Sequence, residues 1–165
     1  MHAHTDRDPF ACDAQEHRHC KHDALAAAAQ ACSREGAKLT PIRRRVLELV
    51  WESHQPVGAY ALLELLAADG RRPSPPTVYR ALEFLLEHGL VHRLDSLNAF
   101  VGCTHPGERH RTLFLICRDC RRAQEIAVDA IEHAVGGEAA RHGFRMEKLT
   151  LEVEGVCHAC RESGC

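Results

Sequence analysis

Two Cys-x-x-Cys pairs are the residues of this chain whose types and spacing could do chemistry. Cys117 and Cys120 form the first pair, and Cys157 and Cys160 form the second. Two such pairs supply the four thiolates of a tetrahedral Zn²⁺ site, in which no position stays open for water or substrate. Disulfides and free thiols are the alternatives. We favour structural zinc, because cysteines in a reducing compartment seldom form disulfides.

Length and charge limit the class of protein. The 165 residues suffice for one domain of ordinary size or two small ones. With 21 basic and 23 acidic residues the formal charge is −2, which neither indicates nor excludes a nucleic-acid partner. The polar start lacks a signal-peptide core, and no segment approaches the ~20 apolar residues that span a membrane. We therefore expect a cytoplasmic protein with no membrane partner.

Residues 1–22 differ in composition from the rest of the chain. They are rich in histidine, cysteine and charge and have almost no apolar periodicity, which predicts a flexible tail. Tracts of this composition can bind metal loosely, here through His17, His19, Cys20 and His22. A solvated extension without function is the alternative, and we favour it.

Helical patterns begin at residue 23. Apolar spacing, N-cap residues followed by proline, and glycine stops predict four helices: before Gly36, after Thr40, over residues 59–68, and between Ser74 and Gly89. Alternating runs at 90–94 and 99–103 then predict a hairpin. Helices followed by a hairpin predict a winged helix-turn-helix over residues 23–103. In that architecture the last helix enters the major groove and the wing approaches the DNA backbone.

The C-terminal half reads as a small sheet with one helix. Extended runs at 113–117, 125–128 and 144–153 surround a helical pattern at 129–142. Such a sheet leaves edges open, and pairing with a second copy in a C₂ dimer would complete it. We therefore predict an α+β chain with a hinge at 104–112 and a small α/β dimerisation domain at 113–165. Cys165 stays unassigned.

Several motifs occur in an order that resembles one family. They are Leu39-Thr40-Pro41-x-Arg43, the run Thr77-Val78-Tyr79-Arg80-Ala81-Leu82, Val91-His92 in the hairpin, and the two cysteine pairs. This order resembles the ferric uptake regulator family over about residues 23–160, and within it the zinc uptake regulators. The resemblance implies a zinc-responsive transcriptional repressor, not an enzyme. It would bind palindromic operator DNA as a homodimer when sensory zinc is bound, and control zinc-uptake genes.

The resemblance also implies a second, regulatory zinc site. His92, Cys103, His110 and Glu125 stand where zinc regulators of the family place their sensory ligands, which gives two Zn²⁺ per chain. A thiolate in the set favours zinc over Fe²⁺ and Mn²⁺. His105, two residues after Cys103, competes with His110 for the hinge ligand, and spacing alone does not decide between them.

For DNA, the resemblance points to Tyr60 and Arg80, with Thr77 and Tyr79 on the same helix as Arg80. Arginine can donate two hydrogen bonds to a guanine edge. Tyr79 could equally be an aromatic residue at the edge of the core. Phosphate contacts are predicted for Lys38, Arg43 and Arg44, although a plain solvated helix face is the alternative reading.

Three other functions remain as alternatives. The nearest is a regulator of the same family that senses iron, manganese, nickel or peroxide. A zinc enzyme would need three ligands, an open water position and a general base, which His92, Cys103 and His110 with Glu125 could supply. A zinc buffer would use the tail but would leave the winged helix unexplained.

Overall fold

A computed structural model describes residues 14–70, 73–106, 112–127, 129–147 and 149–163. The N-terminal helices are α1 (Ala14–Arg34), α2 (Pro41–Val50), α3 (Ala59–Ala68) and α4 (Pro75–Glu87). A hairpin of β1 (Val91–Leu94) and β2 (Ala99–Gly102) follows. The C-terminal elements are β3 (Thr112–Cys117), β4 (Ala123–Ala127), α5 (Asp129–Arg141), β5 (Thr150–Gly155) and α6 (His158–Ser163). No helix in these ranges is long and apolar enough to cross a bilayer.

The flexible tail predicted for residues 1–22 is wrong over residues 14–22, because α1 begins at Ala14. Polar contacts hold this part of the helix where the sequence has no apolar face. His17 Nε2 lies 2.9 Å from the Trp51 carbonyl oxygen, so it must donate, and its Nδ1 lies 3.1 Å from Nε2 of His54. Lys21 forms an ion pair with Glu52. Residues 1–13 lie outside the described residues.

The winged helix-turn-helix is confirmed. Thr40 and Ser74 stand at the N-cap positions of α2 and α4, each followed by proline in the first turn. The apolar faces of α2, α3 and α4 meet in one core, which includes the fully buried Val46, Leu47, Leu62, Val78, Leu82 and Leu85. Helix α4 therefore turns its Tyr79 and Arg80 side outward, as the apolar spacing predicts.

The C-terminal sheet has the strand order β4-β3-β5, with β3 antiparallel to β4 and parallel to β5. Strand β5 begins at Thr150 and not at 144, because the chain after α5 first makes a helix-end turn. Gly143 has a φ of 66°, and the Phe144 N–H donates to the Ala139 carbonyl at 2.9 Å. The sequence did not predict α6, a short helix in which Cys160 lies.

Several contacts between described residues join the halves of the molecule. Leu94, Leu97 and Val101 of the hairpin region pack against Phe114, Ile116 and Ala123 of the C-terminal sheet. Elsewhere the Ala123 N–H donates to the His54 carbonyl at 3.0 Å, and Gln55 Nε2 donates to the Cys120 carbonyl at 2.9 Å. The predicted boundary and hinge at 104–112 stay a prediction, since 107–111 lie outside the described residues.

Gly102 is required where β2 passes Trp51. A methyl group at this position would lie 2.0 Å from Cε2 of Trp51, which is itself buried. We expect Gly102→Ala to lower the free energy of unfolding by about 1–3 kcal/mol, because overpacking forces a large ring to move. Denaturant titration measures this difference. Gly137→Ala in α5 is the control, since nothing lies within 4 Å of a methyl group there. Equal stability of the two variants would contradict this contact.

Candidate metal centres and nucleic-acid interface

The parallel pairing of β3 and β5 brings the two cysteine pairs together. Parallel strands end at the same edge of a sheet, so the residues after β3 and after β5 are neighbours. The four Sγ atoms of Cys117, Cys120, Cys157 and Cys160 all lie within 4.8 Å of one another, and those of Cys120 and Cys157 are 3.9 Å apart. Tetrahedral zinc with Zn–S bonds of about 2.3 Å separates its sulfurs by about 3.8 Å. The cluster has the dimensions of a Cys₄ zinc site.

Backbone N–H groups stabilise the thiolate form of Cys117. Burial alone would raise the pKa of its thiol, but N–H donors from Cys157, Cys120 and Asp119 outweigh burial and lower the pKa to about 6. One of these donors, the Cys157 N–H, is 3.3 Å from Cys117 Sγ. Burial raises the pKa of Cys120. Because metals bind the thiolate, this arrangement favours metal capture at neutral pH.

A second cluster joins the two halves of the chain. His92 lies in β1, Cys103 follows β2, and Glu125 lies in β4, with one ligand atom of each within 4.8 Å of the others. Nε2 of His92 is 3.0 Å from Oε1 of Glu125, whose side chain is only 4% exposed. Burial opposes protonation of His92, yet its contacts with Cys103 and Glu125 raise its pKa to about 9. The surroundings of this imidazole therefore stabilise a positive charge at its position.

Thr104 orients the carboxylate of this cluster. Its N–H and its hydroxyl donate to Oε2 of Glu125 at 2.8 and 2.7 Å, so that Oε1 is directed toward His92. Groups that hold a ligand's second atom fix its orientation toward a metal. Sequence reasoning missed Thr104. Its position directly after Cys103 was the only available signal.

Of the two histidines proposed for the hinge, His105 lies within the described residues. His105 is exposed, and its Nδ1 lies 3.0 Å from the Thr104 hydroxyl. His110 lies outside the described residues. The choice between them therefore stays a prediction, and the described part of the second cluster contains three candidate ligands.

The face predicted to meet DNA has its aromatic residues exposed. Tyr60 at the start of α3 is 74% exposed, and Tyr79 is 43% exposed, which places it outside the core. Both line an open groove of about 220 Å³ between α3, α4 and the hairpin, which contributes Arg93 and Asn98. Arg80 is exposed on the same helix as Tyr79. The groove thus combines two tyrosine rings with the charged side chains of Arg93 and Glu83.

The basic run of α2 has partners inside the domain. The Arg43 guanidinium lies 3.6 Å from the ring centre of Phe84 and donates to the Lys38 carbonyl at 2.7 Å. Arg44 pairs with Glu48 at 3.2 Å. Arg45 pairs with Asp69 through two nitrogens, at 2.6 and 3.0 Å. Phosphate contact by Arg43 and Arg44 stays a prediction, and the Arg43 packing gives that residue a structural role as well.

Thr77 lies in the first turn of α4. It is half-buried, and its hydroxyl is 3.0 Å from that of Ser74. Its predicted contact with DNA stays a prediction.

A family model described as "Ferric uptake regulator family" matches residues 34–154. The chain belongs to the ferric uptake regulator family. It is 37% identical to the zinc uptake regulation protein of Escherichia coli K12 over 141 residues, 85% of this chain and 82% of that protein. Among solved structures, it is similar to a zinc uptake regulator complexed with zinc and DNA, with a TM-score of 0.81 and 36% identity over 88% of this chain and 98% of that one.

A protein named XcZur has been solved in a holo form and an apo form. It is 41% identical to this chain, with 87% of this chain and 99% of XcZur covered in both comparisons. The TM-score is 0.79 against holo XcZur and 0.52 against apo XcZur. The arrangement described here is therefore much closer to the holo form.

Proposed function

We propose that this chain is a zinc-responsive transcriptional repressor that binds palindromic operator DNA as a homodimer and controls zinc-uptake genes. The observation that carries the proposal is the cluster of His92, Cys103 and Glu125, because its members come from both halves of the molecule. The likeness to zinc uptake regulators, one of them bound to zinc and DNA, supports the same conclusion. These relatives are regulation proteins, which favours a regulator over an enzyme, and a repressor would act in the cytoplasm.

Two zinc ions per chain would have different roles. Cys117, Cys120, Cys157 and Cys160 would hold a structural ion that ties the end of β3 to the end of β5. His92, Cys103 and Glu125, with His110 as the fourth ligand, would hold the regulatory ion. One thiolate and one carboxylate together neutralise the charge of Zn²⁺, and the buried thiolate favours zinc over harder divalent ions.

Signal transmission would be a population shift between domain arrangements. A site in which one metal binds His92 and Cys103 on one side and Glu125 on the other can form only when the hairpin lies against the C-terminal sheet. Zinc therefore stabilises that arrangement by its difference in affinity between the two states. Thr104 would keep Glu125 oriented for this step. The higher TM-score against holo XcZur than against apo XcZur supports two distinct arrangements.

In the closed homodimer, the two α4 helices would be presented to successive faces of the major groove, as palindromic half-sites require. Arg80 would read a base edge, and Tyr60 and Tyr79 would contact the sugar-phosphate backbone or thymine methyl groups. Thr77, Arg43 and Arg44 would add backbone contacts. Sequence specificity would depend on Arg80, and general affinity on the others.

Arg80→Ala is expected to weaken operator binding by about 1–3 kcal/mol, because a fork of two donors to a base edge is lost. The measurement is operator affinity at fixed free zinc and fixed salt, beside a scrambled duplex of the same length. Arg44→Ala is the matched control, which should weaken binding to both duplexes by the same factor. If Arg80→Ala binds the operator as the parent protein does, the assignment of α4 as the reading helix fails.

One titration tests the function as a whole. Operator binding is measured against buffered free Zn²⁺, Fe²⁺ and Mn²⁺, and metal content per chain is determined on the same samples. We expect half-maximal binding at a far lower concentration of free zinc than of the other ions, with two zinc ions per chain at saturation. Binding driven equally by iron or manganese would favour the alternative regulators of the family. Operator binding that does not depend on the concentration of any of the three metals would refute metal sensing.

A further inference from the structure

Glu152 joins the tip of the hairpin to the C-terminal sheet. It lies in β5, in register with Phe114 of β3, so its side chain is on the face of the sheet that meets the hairpin. Its Oε1 accepts the Asp95 N–H at 2.7 Å, and its Oε2 accepts the Ser96 N–H at 3.1 Å and the Ser96 hydroxyl. We call these hydrogen bonds of Glu152 with residues 95 and 96 the turn contact.

The turn contact consists of hydrogen bonds to a charged group. Hydrogen bonds to an ionised carboxylate are about twice as strong as neutral ones. Burial alone would raise the pKa of Glu152, but the Ser96 hydroxyl and the two backbone N–H groups outweigh it, and the pKa is lowered. The carboxylate therefore remains ionised at neutral pH, and two of its three donors are backbone N–H groups of a four-residue turn.

The turn contact is separate from both candidate metal centres. None of its three residues is among the seven cysteine, histidine and glutamate residues that form the two metal-ligand clusters. It lies instead beside the apolar packing of Leu94 and Leu97 on the sheet. A rotation of the winged helix away from the sheet must break it, together with that packing. The contact thus requires the hairpin to lie against the sheet, and it uses none of the candidate metal ligands.

We propose that Glu152 is a positioning residue for operator binding: by fastening the hairpin turn to β5, it sets how much free zinc is needed to close the protein. This proposal rests on the proposed function. A bond made only in the closed state raises its population before any metal binds. Regulatory zinc then shifts an equilibrium that is already biased, so its apparent affinity is higher.

The turn contact also changes the expected role of the wing. The N–H groups at the hairpin tip are directed to Glu152, so the tip faces the C-terminal sheet. The Arg93 side of the hairpin borders the groove with Tyr60 and Tyr79. In this chain the hairpin is a connector between domains at its tip, and any approach to DNA is left to its flank.

The test is Glu152→Gln in the full-length protein. We expect the free zinc needed for half-maximal operator binding to rise by roughly five- to thirty-fold, which corresponds to about 1–2 kcal/mol, because the amide keeps one acceptor oxygen but loses the negative charge. Zinc content per chain at saturation and the dimeric mass should not change. Glu154→Gln is the matched control, because Glu154 is an exposed carboxylate two residues further along the same strand. It should leave the zinc requirement as in the parent protein.

Ser96→Ala provides a milder second variant. It removes one of the three donors and keeps the backbone N–H groups, so its effect should be smaller than that of Glu152→Gln. In the double variant the two losses should not add, because they remove the same contact. If Glu152→Gln and Ser96→Ala both respond to zinc like the parent, Glu152 has no positioning role. Loss of zinc or of the dimer in either variant would also refute the proposal, since it would show a merely structural role.

A readout without DNA separates this proposal from the proposed function. Small-angle X-ray scattering against free zinc reports domain closure directly. If the parent closes with zinc but does not bind operator, the proposed function fails, and a Glu152→Gln curve shifted to higher zinc still supports the turn contact. If both proteins close at the same free zinc, the turn contact is refuted whatever happens on DNA.

Discussion

Cys117→Ser is expected to remove one tightly held zinc ion per chain and to abolish the dimer. Cys117 ends β3, and its three partner thiols come from the turn after β3 and from the segment after β5, so the metal holds two strands that are far apart in sequence. Structural zinc contributes about 10–16 kcal/mol of apparent binding free energy that is also folding free energy. The measurements are zinc content per chain, mass in solution and thermal unfolding.

Cys20→Ser is the matched control for this loss. Cys20 lies on α1, and it belongs to neither metal-ligand cluster among the described residues. Its replacement should leave zinc content and dimeric mass unchanged. A folded dimer of Cys117→Ser with its full zinc content would contradict the assignment of the Cys₄ site.

Cys103→Ser is expected to abolish zinc-dependent operator binding while the dimer and the Cys₄ zinc persist. Cys103 is buried between the halves of the chain, and a hydroxyl is a poor substitute for a thiolate ligand. Groups that only orient a ligand are worth ~10–100-fold in metal affinity. Loss of the ligand itself should therefore raise the zinc requirement by more than about 100-fold, measured as operator binding against buffered free zinc.

His92→Ala and Glu125→Ala should behave like Cys103→Ser, and pairs of these changes should not add, since each removes one arm of the same site. His142→Ala, at an exposed position after α5, is the control and should respond to zinc as the parent does. A Cys103→Ser variant that still represses with unchanged zinc dependence would refute the assignment of the regulatory site and of zinc as the signal. Between the hinge histidines, we expect a large loss for His110→Ala and a small one for His105→Ala.

Local signals in the sequence were sufficient for most of the DNA-binding half. Thr40-Pro41 and Ser74-Pro75 start helices through fixed backbone angles, and the predicted span of α3 agrees with the structure. The cysteine pairs were predictable for a similar reason, because the ligands of a knuckle are close in sequence. Tertiary structure was needed only to show that the parallel β3–β5 pairing brings them together.

Contacts between distant residues could not be predicted. Glu152 binds residues that precede it by 56 and 57 positions, and in the sequence it is one acidic residue among many. Thr104 and Glu125 are 21 positions apart, and a threonine after a cysteine has no distinguishing pattern. The start of α1 was missed because His17 and Lys21 reach the loop after α2 through polar contacts, which leave no apolar periodicity to detect.

The close approach of Trp51 to Gly102 gives the chain its own optical reporter. Trp51 is the single tryptophan in the sequence, and its indole ring lies against the residue that precedes Cys103. We expect metal capture at Cys103 to shift the adjacent backbone and so to alter the surroundings of that ring. Its emission spectrum can therefore follow occupancy of the interdomain site in real time, without a dye and without mutating any cysteine.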